Sequence, residues 1–180
     1  MAYIGLAKFV AASYDEKTNT YKNGFRFGKA VKIDIAPNYE DTSEYNDIND
    51  FEDEQVFTHA DIELGTDYTS IDAEKNVFGH ANNTDEITSC DTDLSKYIGL
   101  GFKTKEIISG VPQYVAIWLY KVKLYEERET YDTKGENIEY KTPVAKGKAY
   151  PIDTGEWRKK KTFKTKEQAE SWLEKMAGIS

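Results

Sequence analysis

The stretch Tyr114-Val115-Ala116-Ile117-Trp118-Leu119-Tyr120-Lys121-Val122-Lys123-Leu124 changes its periodicity part-way along. Seven consecutive apolar or aromatic residues give way to strict alternation, with Lys121 and Lys123 set between Tyr120, Val122 and Leu124. A strand covered on both faces reads as an unbroken apolar run, and one covered on a single face reads with period two. The segment is therefore expected as a long strand, buried first on both faces and then on one. Such a strand belongs to a β-rich body.

Other segments repeat the theme. Gln55–Leu64 alternates, with Val56, Thr58, Ala60, Ile62 and Leu64 pointing one way and Phe57, His59, Asp61 and Glu63 the other. In Lys29–Ile35, Ala30, Lys32 and Asp34 alternate with Val31, Ile33 and Ile35, and Pro37 is expected to end the strand. Ala7–Ala12 reads as an opening strand. The turn-rich stretch Asp15–Gly24 follows, and its Tyr21-Lys22-Asn23-Gly24 is a hairpin-like signal. Tyr97–Phe102 reads as a short glycine-containing strand and Val144–Tyr150 as another. Glu126–Tyr131 and Asn137–Lys141 flank Asp132-Thr133-Lys134-Gly135-Glu136, the pattern of a long charged hairpin over 126–142.

Two helices are expected. Ser70-Ile71-Asp72-Ala73-Glu74 starts a short one, with Phe78 inward and Gly79 as its stop. Thr165-Lys166-Glu167-Gln168 is a capping box for a C-terminal helix over 165–177. Ala169, Trp172, Leu173 and Met176 form its apolar stripe, and Gly178 terminates it. The fold class is mainly β, with this helical minority.

The 180 residues contain no Pro/Gly/Ser linker, so a single domain over 1–180 is expected. The one cysteine, Cys90, excludes an internal disulfide and a cysteine-based zinc site and fits a reducing cytoplasm. The first residues lack the basic leader and apolar run of a signal peptide, and no window is long and apolar enough for a membrane span. An acidic chain, with pI near 4.9, is a poor general binder of DNA.

Charge is split along the chain. Residues 1–95 hold 20 acidic and 7 basic side chains, whereas residues 96–180 hold 12 acidic and 17 basic, a division that solubility does not require. Eight carboxylates lie within Glu40–Glu54, which reads as an exposed loop over 38–54. That loop lacks the glycine and spacing of an EF-hand and reads as a solvated acidic surface. Clustered, solvated acids also argue against a catalytic carboxylate pair, whose acid needs an apolar cleft.

His59 and His80 sit on different predicted elements, outside any metal-ligand spacing, and read as structural or surface histidines. Gly99-Leu100-Gly101 is too short for a phosphate loop and opens no helix. Arg158-Lys159-Lys160-Lys161 reads as a partner for carboxylates of its own chain or of a neighbour, rather than as a DNA reader. No catalytic, cofactor-binding or metal-binding residue is expected.

Several segments, in order, resemble the major tail protein family of long, non-contractile tailed phages. MAYIGLAKFVAASYD is similar to that family's opening strand. Glu44-Tyr45-Asn46-Asp47 resembles its Tyr-Gly-Asp element, with Asn46 where glycine is common. Asp61-Ile62-Glu63-Leu64-Gly65-Thr66-Asp67-Tyr68 is similar to the strand before its short helix, closed here by Phe78-Gly79-His80. Tyr97–Phe102, Trp118–Leu124 and Thr133–Pro143, with Gly147 beyond, continue the likeness. The acidic insertion around Glu40–Glu54 and the Lys-rich stretch near the C-terminus depart from it.

The resemblance implies a tail-tube β-sandwich with a short central helix, a long hairpin and a C-terminal helix. It implies a structural virion protein, not an enzyme and without cofactors, whose hexameric rings stack into a tube that conducts the genome. Its partners would be further copies of itself and the tape-measure, tail-tip and tail-terminator proteins. DNA would pass without specific binding, and the protein would reside in the virion tail after assembly in the host cytoplasm.

Opposite charges suit a ring, where one patch meets a different patch on the next copy. Candidate inter-subunit contacts are Arg128, Lys134, Arg158, Lys159, Lys160 and Lys161. Glu40, Asp41, Glu44, Asp47, Asp50, Glu52, Asp53 and Glu54 form a candidate lumen or surface acidic cluster. The competing expectations are a tube subunit of a secretion or injection device and a monomeric carbohydrate-binding β-sandwich.

Overall fold

A computed structural model describes residues 3–7, 9–42, 54–83, 85–127 and 144–179. The opening segment is indeed a long strand, β9 (Val111–Glu126), and it organises the rest. It pairs antiparallel along its length with β8 (Tyr97–Ile108), through a two-residue turn at Ser109 and Gly110. Both turn residues have positive φ, 51° and 79°, the twist that a tight hairpin needs.

Each strand of this central hairpin carries two neighbours. β1 (Tyr3–Leu6) and β2 (Phe9–Asp15) lie along different parts of β8. On β9, β10 (Val144–Tyr150) takes the C-terminal half, while β11 (Arg158–Phe163) takes the N-terminal half. β3 (Thr20–Gly28) extends the sheet beyond β2, and β5 (Glu54–Thr66) and then β4 (Ala30–Thr42) extend it beyond β10. All nine strands form one antiparallel sheet that folds over its own face. Phe57 of β5 stacks on Trp157, just before β11, at 4.5 Å, although β5 and β11 are not paired.

Between the folded halves lies the main core, which includes Phe9, Phe27, Leu64, Ile98, Leu100, Leu119 and Leu124. A second core lies on the opposite face of β2 and β9, beneath α2 (Lys166–Ala177). Thr165 caps α2 by accepting from the Gln168 N–H, Gly178 closes it with φ 69°, and Ala169, Leu173 and Ala177 are its buried face. The helix thus covers the face that the doubly apolar run in β9 required. The short helix also forms as expected: Ser70 caps α1 (Ile71–Ala73), which runs into a π turn at Glu74–Phe78 and stops at Gly79, φ 86°.

Trp118 is the largest fully buried side chain. Its ring lies where β8 has no side chains: a Cβ on Gly101 would come within 2.7 Å of it, and one on Gly99 within 2.3 Å. The Gly-Leu-Gly sequence is therefore a seat for an indole. Burying about 200 Å² of aromatic surface contributes about 5 kcal/mol.

Bulges explain the places where the alternation misleads. β9 has one extra residue opposite Ile98–Leu100, so the core-facing positions shift from Val115, Ile117 and Leu119 to Val122 and Leu124. At this bulge the Tyr120 N–H donates to the Trp157 carbonyl at 3.1 Å, and the Tyr120 carbonyl accepts from the Tyr21 hydroxyl at 2.8 Å. In β5 the extra residue lies at Thr58. Phe57 therefore turns inward and Val56 outward, 47% exposed, the reverse of the expected alternation. In β4 the extra residue is Val31, which is exposed, while Ala30, Ile33 and Ile35 pack on the core.

Other expectations are corrected. Tyr21–Gly24 is not the turn between the first strands. Glu16–Asn19 is, and Asn23 (φ 52°) sits within β3 as a bulge. Pro37 does not end its strand: β4 continues to Thr42, because an outermost strand tolerates a residue without an N–H. Of the expected 38–54 loop, 38–42 belong to β4 and Glu54 to β5, and 43–53 lie outside the described residues. Tyr97–Phe102 extends to Ile108, and of Ala7–Ala12 it is Phe9–Ala12 that lie in a strand, β2, with the separate β1 ending before Ala7. The small ladder of β6 (Ala81–Asn83) with β7 (Glu86–Thr88), and β11 itself, are additions. The hairpin expected over 126–142 lies almost wholly outside the described residues.

Two outcomes are expected. Gly101→Ala should lower stability by about 1–3 kcal/mol in urea unfolding, by overpacking against Trp118, and Trp118→Ala by about 3–5 kcal/mol. The double variant should cost clearly less than the two losses together, because the clash disappears with the ring. The second concerns pH. Burial pushes the Tyr21 phenol well above its ordinary value of 10, and burial also raises Tyr14, Tyr120 and Tyr150. A raised value means that the folded state holds these protons more tightly than the unfolded one. Their contribution is therefore intact below pH 10 and lost as pH climbs above it. Tyr21→Phe should flatten this alkaline decline in a pH series of unfolding free energies. At neutral pH it should cost about 1 kcal/mol for the lost hydrogen bond.

Candidate functional site

The basic run predicted as a contact surface is strand β11, at a margin of the sheet. It hydrogen-bonds β9 on one side, and no strand pairs with its other side among the described residues. Lys159, Lys160 and Lys161 are exposed and Arg158 is half-buried. None of the four makes an ion pair among the described residues. Arg158 instead lies over the Trp157 ring at 4.3 Å and Lys161 over Phe163 at 5.3 Å. Burial and the neighbouring Arg158 pull the Lys160 ammonium below its ordinary value, with Glu106 opposing them.

Glu106 is itself a buried carboxylate, 5% exposed, and its Oε1 has no hydrogen-bond partner. It follows Thr104 on the core-facing side of β8, near a shallow cavity of about 330 Å³. Leu6, Ile33, Ile35, Phe102 and Ile117 give that cavity apolar walls, and Arg158 and Lys160 supply its cations.

Of the acidic cluster, Glu40 and Asp41 lie exposed near the end of β4, the last strand of the sheet on the side of β9 that also carries β11. Neither makes an ion pair among the described residues. Glu54 opens β5. Glu44, Asp47, Asp50, Glu52 and Asp53, like Arg128 and Lys134, lie outside the described residues. Several cations elsewhere are matched: Lys32 with Asp34 and Glu63, Lys146 with Glu63 and Glu127, Lys121 with Glu16, and Arg26 with Glu174. The buried Lys103 ammonium pairs with Glu170 of α2. Local salt bridges thus match several cations of the sheet, whereas β11 and the end of β4 keep charges of opposite sign without ion pairs among the described residues.

A second cluster escaped sequence reasoning. His80 follows the Gly79 stop, and its backbone N–H donates to the Glu74 carbonyl at 3.1 Å. Its ring is nearly enclosed. Nδ1 lies 2.7 Å from Asp93 Oδ2, and Nε2 lies 2.9 Å from Glu126 Oε2 and 3.7 Å from Glu74 Oε2. Asp93 also accepts from the Cys90 N–H at 2.8 Å. Burial disfavours the charged imidazole, but the hydrogen bonds to Asp93 and Glu126 outweigh it, so the net shift is upward. The His80 hydrogen bond in turn holds the Asp93 carboxyl below its ordinary range. The four residues come from the π turn, the connection after it, the loop before β8 and the end of β9. They are spaced 6, 13 and 33 apart, so no short motif could have announced them. Expected as a structural or surface histidine, His80 gathers three carboxylates around its ring.

His59 is a lesser feature, with Nδ1 3.1 Å from the Thr58 hydroxyl and Asp61 at 3.7 Å. The aromatic side chains mostly pair with one another across strands, as Tyr21 does with Trp118 and Phe9 with Phe27 and Phe102. No helix among the described residues is long and apolar enough to cross a membrane. No protein-family model matches the chain, and no curated protein matches it.

Proposed function

We propose that this chain is the subunit of a phage tail tube, in which six copies close into a ring and rings stack into a conduit for the genome. The observation that carries the reading is a pair of unlike edges: β11, with Arg158–Lys161 in no ion pair among the described residues, and the end of β4, with Glu40 and Asp41 likewise. An exposed strand edge is a template for another chain, and natural monomers protect such edges. Unlike margins on one molecule make contacts between copies heterologous, and heterologous contacts close into rings when the rotation allows.

Charge then sets orientation and encounter rate, while like margins repel and disfavour head-to-head pairing. Each exposed ion pair contributes only about 0–1 kcal/mol, so backbone pairing and apolar contact supply most of the affinity. The net charge of −8 suits a wall along which DNA slides without sticking. In this reading the protein works in the virion tail, alongside tape-measure, tail-tip and terminator proteins, and carries out no chemistry.

The test is negative-stain microscopy of the purified full-length protein across a concentration series. Six-fold rings or hollow tubes are the expected outcome, and a lone globule at every concentration would defeat the reading. Lys159→Glu with Lys160→Glu and Lys161→Glu should abolish the particles while leaving the circular dichroism spectrum unchanged. Adding Glu40→Lys and Asp41→Lys should restore them in part, as reciprocal charge reversal does for paired surfaces.

A further inference from the structure

The point between His80 Nε2, Glu74 Oε2 and Glu126 Oε2 has the chemistry of a cation site. Their donor atoms all lie within 4.8 Å of one another. A tetrahedral zinc ion with ligands at about 2.0–2.1 Å sets neighbouring ligand atoms about 3.3 Å apart. The separations from Nε2, 2.9 Å to Glu126 and 3.7 Å to Glu74, bracket that value. At 3.7 Å the Glu74 oxygen lies beyond hydrogen-bond reach of Nε2 but within the reach of a shared ion.

The opposite side of the ring is arranged as histidine ligands usually are. Nδ1 faces Asp93, whose Oδ2 is also held by the Cys90 N–H, so the ring orientation is set and Nε2 is directed at the two glutamates, where a metal ion would take the place of its proton. The imidazole side chain is only 9% exposed, with Glu74 at 14% and Glu126 at 40%. Two ligands are thus fixed in the protein, and the third opens the site to solvent for a water as fourth ligand. An imidazole with two carboxylates selects a borderline ion such as Zn²⁺ over Ca²⁺ or Mg²⁺, which prefer all-oxygen shells.

We propose that Glu74, His80 and Glu126 bind one divalent transition-metal ion of the zinc class, with Asp93 as a positioning residue that orients His80. The ion would cross-link the π turn to the end of β9. This site is independent of the tube reading.

The experiment uses the full-length protein, dialysed against chelator and titrated calorimetrically with ZnCl₂, with CaCl₂ as a parallel arm. One Zn²⁺ per chain is expected, with a rise in melting temperature on binding and no comparable response to Ca²⁺. Co²⁺ in place of Zn²⁺ should give the visible absorption of a tetrahedral nitrogen and oxygen site. Glu126→Gln, at a partly exposed strand end, should keep the fold and lose the metal-dependent shift, as should Glu74→Gln. Asp93→Asn should weaken binding about 10–100-fold while retaining the cobalt spectrum. The proposal is overturned if the parent chain shows no stoichiometric Zn²⁺ binding. Undiminished binding by the Glu74→Gln/Glu126→Gln double variant would place the ion elsewhere and overturn it equally.

Discussion

One contact sets the architecture: the Trp118 indole against the bare strip that Gly99 and Gly101 leave on β8. A strand pair cannot bury an indole on one face unless the neighbouring strand gives up side chains there. The vacated strip also lets α2 descend until Leu173 reaches the same patch, within 2.9 Å of a Cβ placed on Gly101. Glycine inside a strand lowers its intrinsic stability, so the strip costs something locally. The second core formed by Trp118, Val10, Ala169, Leu173 and Ala177 offsets that cost. The chain then has a sheet covered on both sides at its centre and free at its margins.

Strand existence was far more legible than strand facing. The unbroken apolar run in β9 correctly announced burial on two faces, and the capping box at Thr165 correctly placed the helix that covers one of them. Facing failed wherever a ladder takes in an extra residue. Thr58, Val31 and Asn23 each sit at such a point, and each moves the side chains beyond it to the other face. No residue type marks these positions reliably, because a bulge is set by how two strands meet and not by either strand alone. The Phe57–Trp157 stack that closes the folded sheet depends on the bulge at Thr58, so the error concealed a tertiary contact as well as a side-chain direction.

The charged surface was legible as a ledger of halves but not as geometry. Several lysines of the sheet find a carboxylate nearby, including within the acidic N-terminal half, where Lys32 meets Asp34 and Glu63. The charge left without an ion pair among the described residues includes a run of four cations on β11 and two carboxylates at the end of β4, a placement that the sum over halves does not give. The His80 centre illustrates the opposite case. Its members are scattered in the chain, and only the π turn, the Gly79 stop and the end of β9 bring them together.

These two features make different demands on the fold. A margin that docks onto another copy must stay exposed, unpaired and soluble before assembly, which four adjacent cations on β11 achieve by mutual repulsion and hydration. The His80 cluster demands enclosure, because carboxylates converge on one imidazole only where the backbone holds them there. It lies where Glu126 ends β9, so a cation bound there would tie the π turn to the end of that strand. β9 is covered on both faces at its centre, with Trp118 fully buried beneath α2, and it pairs in register with β11 along its N-terminal half. The two proposed features, the β11 edge and the His80 cluster, therefore lie along the two halves of one strand, and the Trp118 contact lies in the first half.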